Sequence, residues 1–180
     1  MGIQPEAVLI TGLYGSGKSS LVEELADRLE SLDMSYGAID VDWLRWFHLP
    51  GDSAKADPEI AAQNLRDVTD RYLDAGVHHL LLAQSTRHNA DVEAIRDVLS
   101  CPLHVVRLDV PLDVVELRLS GAPTTGRAAD LAAARRWVSS GWGAPDAELV
   151  LDGREPLAQL TSKVLEHLRW ARHDDDLSHP

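Results

Sequence analysis

Short apolar runs alternate with longer amphipathic stretches along nearly the whole chain. In the longer stretches apolar residues recur every three or four positions, as Leu21, Leu25 and Leu29 do, which predicts helices with one buried face. The short runs predict strands, and their alternation with helices predicts a parallel sheet covered on both faces. We place the five strands at about 7–11, 36–40, 79–83, 103–110 and 148–151.

Length and charge narrow the class of protein. The 180 residues predict one domain over about 1–172, followed by an acidic tail at 173–180. A net charge of −12 argues against binding to a nucleic-acid polymer, because that binding needs clustered lysines and arginines. No apolar run approaches membrane-spanning length. Cys101 is the single cysteine and forms no intrachain disulfide, which is typical of a cytoplasmic protein. Nothing in the sequence indicates an oligomeric state.

The most specific motif follows the first predicted strand. Residues 12–19 read GLYGSGKS and match G-x-x-x-x-G-K-[ST] at every fixed position, with a strand before and a helix after. The glycines let backbone N–H groups turn toward phosphate oxygens, and the following helix adds its positive end. We expect Lys18 to reach the β- and γ-phosphates and the Ser19 hydroxyl to ligate Mg²⁺. This phosphate-binding loop, or P-loop, predicts a nucleoside triphosphate site formed by Gly12, Tyr14, Gly15, Ser16, Gly17, Lys18, Ser19 and Ser20.

Two carboxylates, Asp40 and Asp42, follow the second predicted strand. The third strand ends in Gln84-Ser85-Thr86 and not in the acidic residue usual in large P-loop ATPases, and no N-K-x-D motif for guanine is present. The carboxyl ends of parallel strands form the ligand-binding edge of an open sheet. We therefore expect one carboxylate to hold Mg²⁺ and the other to accept the proton of an attacking hydroxyl. The alternative is an Asx turn with Asp42 as a helix N-cap.

A segment rich in Gly, Thr and Pro lies between the fourth and fifth predicted strands. It reads SGAPTTGR over residues 120–127, and arginines flank it at Arg118, Arg127, Arg135 and Arg136. Small residues between cationic helices are typical of a mobile lid, here at about 119–130. The alternative is a surface connection with solvated arginines. The P-loop upstream favours the lid, because phosphoryl transfer needs cations over the transferring group.

Aromatic residues come directly after the two carboxylates, at the start of a mainly helical region at about 41–75. They are Trp43, Trp46 and Phe47. They are either core residues of a helix or a stacking wall for a ring of the substrate.

Polar side chains follow the third predicted strand at the same edge of the sheet. Ser85, Thr86 and Arg87 are placed to contact an acceptor there. Arg87 either holds an anionic acceptor or is a surface charge.

With these motifs the chain resembles the small-molecule P-loop kinases, among them adenylylsulfate kinase, gluconate kinase, shikimate kinase and chloramphenicol phosphotransferase. The resemblance covers most of the chain and rests on GLYGSGKSS, the D-x-D-x-x-R run from Asp40 to Arg45, the Ser85-Thr86 turn and the lid segment. It implies an α/β three-layer sandwich with a five-stranded parallel sheet in the order 2-3-1-4-5 and a short lid. It also implies transfer of the γ-phosphate of ATP, with Mg²⁺, to a hydroxyl or phosphate of a small acceptor.

The resemblance further implies roles for single residues. Asp40 looks like the carboxylate that orders the metal, Asp42 like the catalytic base and Arg45 like an acceptor contact. Arg118 and Arg127 look like catalytic lid arginines that act on the phosphates, and Arg118 also like a nucleotide contact. Together with the polar residues above, the expected contacts are an adenine site at Gly153 and Arg154 and an acceptor site at Asp42, Arg45, Trp46, Ser85, Thr86 and Arg87.

The identity of the acceptor stays open. Shikimate kinases carry a glycine-rich turn where this chain has Ala83-Gln84-Ser85-Thr86, and the aromatic-proline-arginine stretch of adenylylsulfate kinases is missing. The candidates are a nucleoside or nucleotide, adenylylsulfate, a sugar acid or an antibiotic. A non-catalytic ATP-binding switch is the alternative function. An open cleft at which the carboxylates and the lid arginines meet would favour the enzyme, and a cleft plugged by tryptophans would favour the switch.

Overall fold

Five parallel strands form the central layer of the protein, with helices on both faces. The computed structural model describes residues 4–46, 58–120 and 124–170. The strands are β1 (Glu6–Gly12), β2 (Tyr36–Asp40), β3 (His79–Ala83), β4 (Leu103–Asp109) and β5 (Leu149–Asp152). The helices are α1 (Lys18–Ser31), α2 (Pro58–Asp74), α3 (Asn89–Arg96), α4 (Leu112–Ser120), α5 (Thr125–Ser139) and α6 (Leu157–Leu168), and a 3₁₀ helix spans Val41–Arg45. The strand order β2-β3-β1-β4-β5 confirms the α/β sandwich expected from the sequence.

The structure departs from the expected elements mainly between β2 and β3. The helical region expected from residue 41 begins as a 3₁₀ helix, capped by the side chain of Asp40. Phe47 and the loop around residues 50–52 lie outside the described residues. The expected tail at 173–180 and part of the expected lid, residues 121–123, also lie outside them.

The central strand β1 is fully buried along residues 7–10. Leu9 lies in register between Leu82 of β3 and Val105 of β4. Successive side chains of a strand point to opposite faces, so the even-numbered residues of this run pack toward α1 and α6 and the odd-numbered ones toward α2 and α3. A continuous apolar run is what such a doubly covered parallel strand requires.

Helix α1 holds one face of the sheet through the leucine stripe expected from the sequence. Leu21, Leu25 and Leu29 are fully buried and belong to one cluster with Leu160 and Val164 of α6. Each such leucine contributes about 1.5–3 kcal/mol of burial free energy. This packing anchors the helix whose first turn carries the P-loop lysine.

The carboxyl ends of all five strands lie at one edge of the sheet, where the connecting turns bring the predicted site together. Helices α4 and α5 pack at this edge over a small apolar cluster that contains Leu13, Val115 and Leu119. The lid flanks are therefore attached to the P-loop by packing. None of the described helices has the length and apolarity that crossing a membrane requires.

The opposite edge of the sheet buries a histidine. His79, the first residue of β3, has its Nδ1 atom 2.8 Å from the carbonyl oxygen of Ser35, and its ring packs edge-on against Trp170 with the centroids 4.7 Å apart. Burial lowers the pKa of the His79 imidazole below its ordinary value. The folded protein therefore favours the neutral ring.

We expect the protein to lose stability as the pH falls below about 6.5, the ordinary pKa of histidine. In that range the unfolded chain binds a proton at His79 that the folded chain does not bind, so the free energy of unfolding decreases with falling pH until the folded-state pKa is passed. Urea unfolding at pH 7.5 and 5.5 measures this loss. His79→Gln removes the titrating group while keeping an N–H donor, so the difference between the two pH values is expected to shrink. An equal difference in the variant would assign the acid sensitivity to other groups.

Candidate active site

The P-loop follows β1 in a conformation that its glycines permit. Gly12, Gly15 and Gly17 have φ angles of 146°, 76° and 104°, which residues with a side chain rarely adopt. A Cβ at Gly15 would lie 2.8 Å from the side chain of Leu119 on α4. Gly17 caps α1 without a side-chain hydrogen bond, so the cap residue leaves the first N–H groups of the helix available. The loop thus presents backbone donors and a positive helix end to an anion.

Lys18 is buried at the mouth of this loop. Its Nζ atom donates a hydrogen bond of 2.9 Å to the carbonyl oxygen of Leu13. Burial lowers the pKa of Lys18 to about 8, although Asp42, Asp40 and Asp130 act to raise it. An anionic phosphate beside this poorly solvated ammonium group would favour its charged form.

An oxygen-rich pair links the P-loop to the end of β2. The Ser19 hydroxyl donates to Oδ2 of Asp40 at 3.0 Å, and Oδ1 of Asp40 accepts from the Asp42 backbone N–H at 3.1 Å. Asp40, and not Asp42, is therefore the N-cap of the 3₁₀ helix. A hydroxyl and a carboxylate are the oxygen ligands that Mg²⁺ takes beside substrate phosphates, so these two residues fit that ion.

Two cavities meet above Lys18. The first, of about 450 Å³, follows the P-loop from Gly15 to Ser20 and continues to Arg118, Arg127 and Gly153. The second, of about 320 Å³, opens on the other side and is lined by P-loop residues and by residues at and after the end of β2, together with Ser85 and Asp130. The residues shared by both cavities are Gly15, Lys18, Ser19 and Asp130.

Arg118 ties the P-loop to the turn after β5. Its guanidinium donates to the carbonyl oxygen of Ser16 at 2.9 Å and to that of Gly153 at 2.8 Å. Two carbonyl oxygens, one from each segment, are thus held by one planar group. The bridge spans the wall of the first cavity and fixes its width.

Other residues expected at the nucleotide lie at different places. Gly12 lines neither cavity and instead lies beneath the loop, where a Cβ would come 2.6 Å from the carbonyl oxygen of Leu108. Tyr14 lines the second cavity and not the first. Arg154 forms an ion pair of 2.6 Å with Asp152 and lines a separate hollow beside Asp109, because its side chain turns away from the P-loop.

The second cavity carries the D-x-D-x-x-R residues. Asp42 accepts a short hydrogen bond at Oδ1 from the Arg45 guanidinium, which leaves its Oδ2 without a hydrogen bond in the described part of the chain. Tyr14 faces both residues while its ring packs on Trp137, with the centroids 5.1 Å apart. Burial raises the pKa of the Tyr14 phenol, and the charge of Asp42 raises it further.

The three polar residues after β3 have three different environments. Ser85 lines the second cavity, is 5% exposed, and its hydroxyl has no hydrogen-bond partner among the described residues. Thr86 is fully buried, with its hydroxyl oxygen 2.5 Å from that of Thr11 on β1, so it does not reach the acceptor space. Arg87 donates to the Ser140 hydroxyl at 3.0 Å and does not line the cavity.

The two tryptophans that follow the carboxylates, Trp43 and Trp46, lie outside the core. Trp43 and Trp46 are 65% and 74% exposed, and their rings pack against each other with centroids 4.7 Å apart. Trp43 lines the second cavity, whereas Trp46 does not. Leu44, between them, packs against the core. The stacking-wall interpretation therefore fits Trp43, and the cavity is not plugged.

Comparison with known proteins identifies the family to which the chain belongs. The family model for adenylylsulphate kinase matches residues 4–121. The adenylyl-sulfate kinases of Citrobacter koseri and Erwinia tasmaniensis are 30% and 31% identical to the chain, over 93% and 88% of its length and 85% and 80% of theirs. The chain belongs to the adenylylsulphate kinase family. It is an ATP-dependent P-loop kinase of a small molecule, and it uses ATP with Mg²⁺.

Solved structures share the fold of this kinase. An APS kinase of Mycobacterium tuberculosis, in complex with AMPPNP and APS, has a TM-score of 0.65 at 23% identity and covers 93% of this chain and 99% of its own. A sugar kinase from Janibacter sp. has a TM-score of 0.65 at 23% identity, over 93% of this chain and 96% of its own. These two likenesses support the fold alone.

Among the cavity residues that the sequence did not indicate is Asp130. Asp130 lies on α5 and lines both cavities. Burial and the charge of Asp42 raise the pKa of Asp130, while Lys18 and Arg127 lower it. Because Asp130 follows Arg127 by three residues on one helix, the two share a face. The position of Asp130 three residues after Arg127 was the feature of the sequence that could have indicated it.

We expect Thr86→Val to affect stability and Ser85→Ala to affect binding of the acceptor. Thr86→Val removes a buried hydroxyl pair and lowers the free energy of unfolding by about 1 kcal/mol. Ser85→Ala leaves stability unchanged, because its hydroxyl bonds to none of the described residues, but raises the KM for the acceptor. Urea unfolding and acceptor kinetics on both variants measure this. A destabilised Ser85→Ala protein with normal kinetics would contradict the placement.

We expect Arg118→Lys to weaken the binding of ATP about tenfold, because a lysine cannot bridge two carbonyl oxygens with a planar fork. Calorimetric titration with Mg-ATP measures the change. Arg135→Lys is the matched control, since Arg135 forms an exposed ion pair with Glu116 away from both cavities. Equal affinities in the two variants would show that the bridge does not shape the nucleotide site.

Proposed function

We propose that ATP binds in the first cavity and that its γ-phosphate passes to a hydroxyl of an acceptor in the second. The observation that carries this proposal is the shared border: Lys18 and Ser19 line both cavities, so a phosphate held there faces both. Arg118 and Arg127 lie on the ATP side, and Asp42 lies on the acceptor side. An open second cavity also supports an enzyme over an ATP-binding switch.

The proposed transfer is a single displacement. The acceptor oxygen attacks the γ-phosphorus, a new P–O bond forms, and the bond to the bridging oxygen of ADP breaks. The hydroxyl proton passes to Oδ2 of Asp42, the oxygen that Arg45 leaves open. Lys18 and Arg127 stabilise the negative charge on the moving phosphoryl group. Ser19 and Asp40 would hold Mg²⁺, which would supply further positive charge beside the phosphates.

A second candidate acceptor is adenylylsulfate. The names of the Citrobacter koseri and Erwinia tasmaniensis relatives favour it. Against it stands the turn after β3, where residues 83–87 read AQSTR without the aromatic-proline-arginine stretch of adenylylsulfate kinases. Arg87, the cation of this turn, is engaged with Ser140.

We place the enzyme in the cytoplasm and expect no nucleic-acid polymer as partner. The single cysteine, Cys101, supports the first statement, and the net charge of −12 supports the second.

We expect Asp42→Asn to lower kcat about 100- to 10,000-fold, because the amide cannot accept the proton. The affinity for Mg-ATP should stay within about twofold, since Asp42 does not line the first cavity. ADP release with a panel of acceptors and calorimetry with ATP measure the two quantities. Lys18→Ala provides the blank, and Asp67→Asn, on the exposed face of α2, is the control. Intact transfer by the Asp42 variant would exclude it as the base.

A further inference from the structure

Among the described residues that line the second cavity, negative groups outnumber positive ones. Three carboxylates line it, from Asp40, Asp42 and Asp130, against two cations, Lys18 and Arg45. Lys18 lies at the border with the first cavity, and Arg45 is bound to Asp42. Both cations among the described residues that line this cavity are thus already engaged, Lys18 by the carbonyl oxygen of Leu13 and Arg45 by Asp42.

Asp130 is the carboxylate with no assigned task. Asp40 accepts a hydrogen bond from Ser19, and Asp42 accepts one from Arg45. The Asp130 side chain forms no hydrogen bond or ion pair within the described part of the chain. Burial and the nearby charge of Asp42 raise the pKa of Asp130, and Lys18 and Arg127 only partly offset this, so the net effect of the surroundings is to disfavour its negative charge. A positively charged ligand beside Asp130 would remove that cost.

Two further groups indicate a ligand with polar and cationic parts. The Ser85 hydroxyl is buried in the cavity wall and has no hydrogen-bond partner in the part of the chain that the structure describes, so a hydrogen-bonding acceptor would satisfy it. Trp43 presents a largely exposed ring at the same cavity. The face of an indole ring attracts cations, most strongly where water is excluded.

We propose that the acceptor is a small hydroxylated amine, protonated at neutral pH, whose ammonium group lies beside Asp130 and Trp43 while a hydroxyl faces Asp42. The proposal rests on the kinase function above and names its substrate class. The transferred phosphate goes to the hydroxyl oxygen, and the ammonium keeps its protons. An anionic acceptor such as adenylylsulfate would instead place its charge beside Asp130, where the two cations among the described lining residues are already engaged.

Matched acceptors test this proposal. ADP release is measured for amino sugars, amino alcohols and aminocyclitols, each beside the neutral parent that carries hydroxyl in place of the amine and beside the corresponding carboxylate. Adenylylsulfate is included. Binding of each compound to the ATP-free and AMPPNP-bound enzyme is measured by calorimetry. We expect kcat/KM for the amines to exceed that for the neutral parents by about ten- to a hundredfold, the range of a charge-assisted hydrogen bond.

Asp130→Asn separates charge recognition from the transfer step. We expect the KM for the amine to rise about tenfold or more and the KM for its neutral parent to change by less than about twofold. Asp67→Asn is the matched control on an exposed helix face. If the Asp130 variant does not fold, the ratio of kcat/KM for the amine to kcat/KM for its neutral parent, measured on the unmodified enzyme, tests the proposal by itself.

Each outcome is decisive. Faster transfer to a neutral or anionic compound, adenylylsulfate included, overturns the proposed acceptor class and leaves the kinase intact. Binding of amines that depends on Asp130, without transfer to any acceptor, supports the cation site and overturns the proposed transfer. If no amine binds and no amine is phosphorylated, the proposed cation site is overturned.

Discussion

The site depends on the close approach of the end of β1 to β4. A Cβ on Gly12 would lie 2.6 Å from the carbonyl oxygen of Leu108, so a glycine is required where the strand turns into the P-loop. From there the chain rises directly over the edge of the sheet and enters α1 at Lys18. Arg118 holds the loop from the other side through the carbonyl oxygens of Ser16 and Gly153. The place of the phosphates follows from these contacts.

At the end of β2, local turn chemistry and the site use the same atoms. One oxygen of Asp40 caps the 3₁₀ helix, and the other accepts from Ser19. A structural and a functional role for this carboxylate are therefore compatible, because its two oxygens point to different partners. The cap also fixes the direction of the helix that carries Asp42 and Arg45. In the proposed reaction, one side chain would therefore both hold the metal and position the helix that faces the acceptor.

Charge is distributed unevenly between the two cavities. The described arginines at the nucleotide, Arg118 and Arg127, line the first cavity and suit a triphosphate. In the second cavity the carboxylates outnumber the cations, and Arg45 is bound to one of them. A positively charged acceptor and a negatively charged one would therefore interact with this cavity with energies of opposite sign. For this reason family membership and fold identify the reaction but not the acceptor.

Much of the fold could be predicted because its signals are local. The burial of residues 7–10 follows from a continuous apolar run, the stripe on α1 from its periodicity, and the P-loop from four fixed positions in eight residues. Asp40 and Asp42 could be placed because parallel strands end at one edge.

The sequence by itself determined the strands, most of the helices, the phosphate site and the class of reaction. Only the tertiary structure decided which residues after β3 line the second cavity. Ser85 lines it, whereas Thr86 forms a hydrogen bond with Thr11 of β1. The tertiary structure also turned Arg154 toward Asp152 and brought Asp130, from a distant helix, to both cavities. These outcomes depend on packing between segments far apart in the chain, and the pattern within one segment carries no record of the side chains that other segments bring to it.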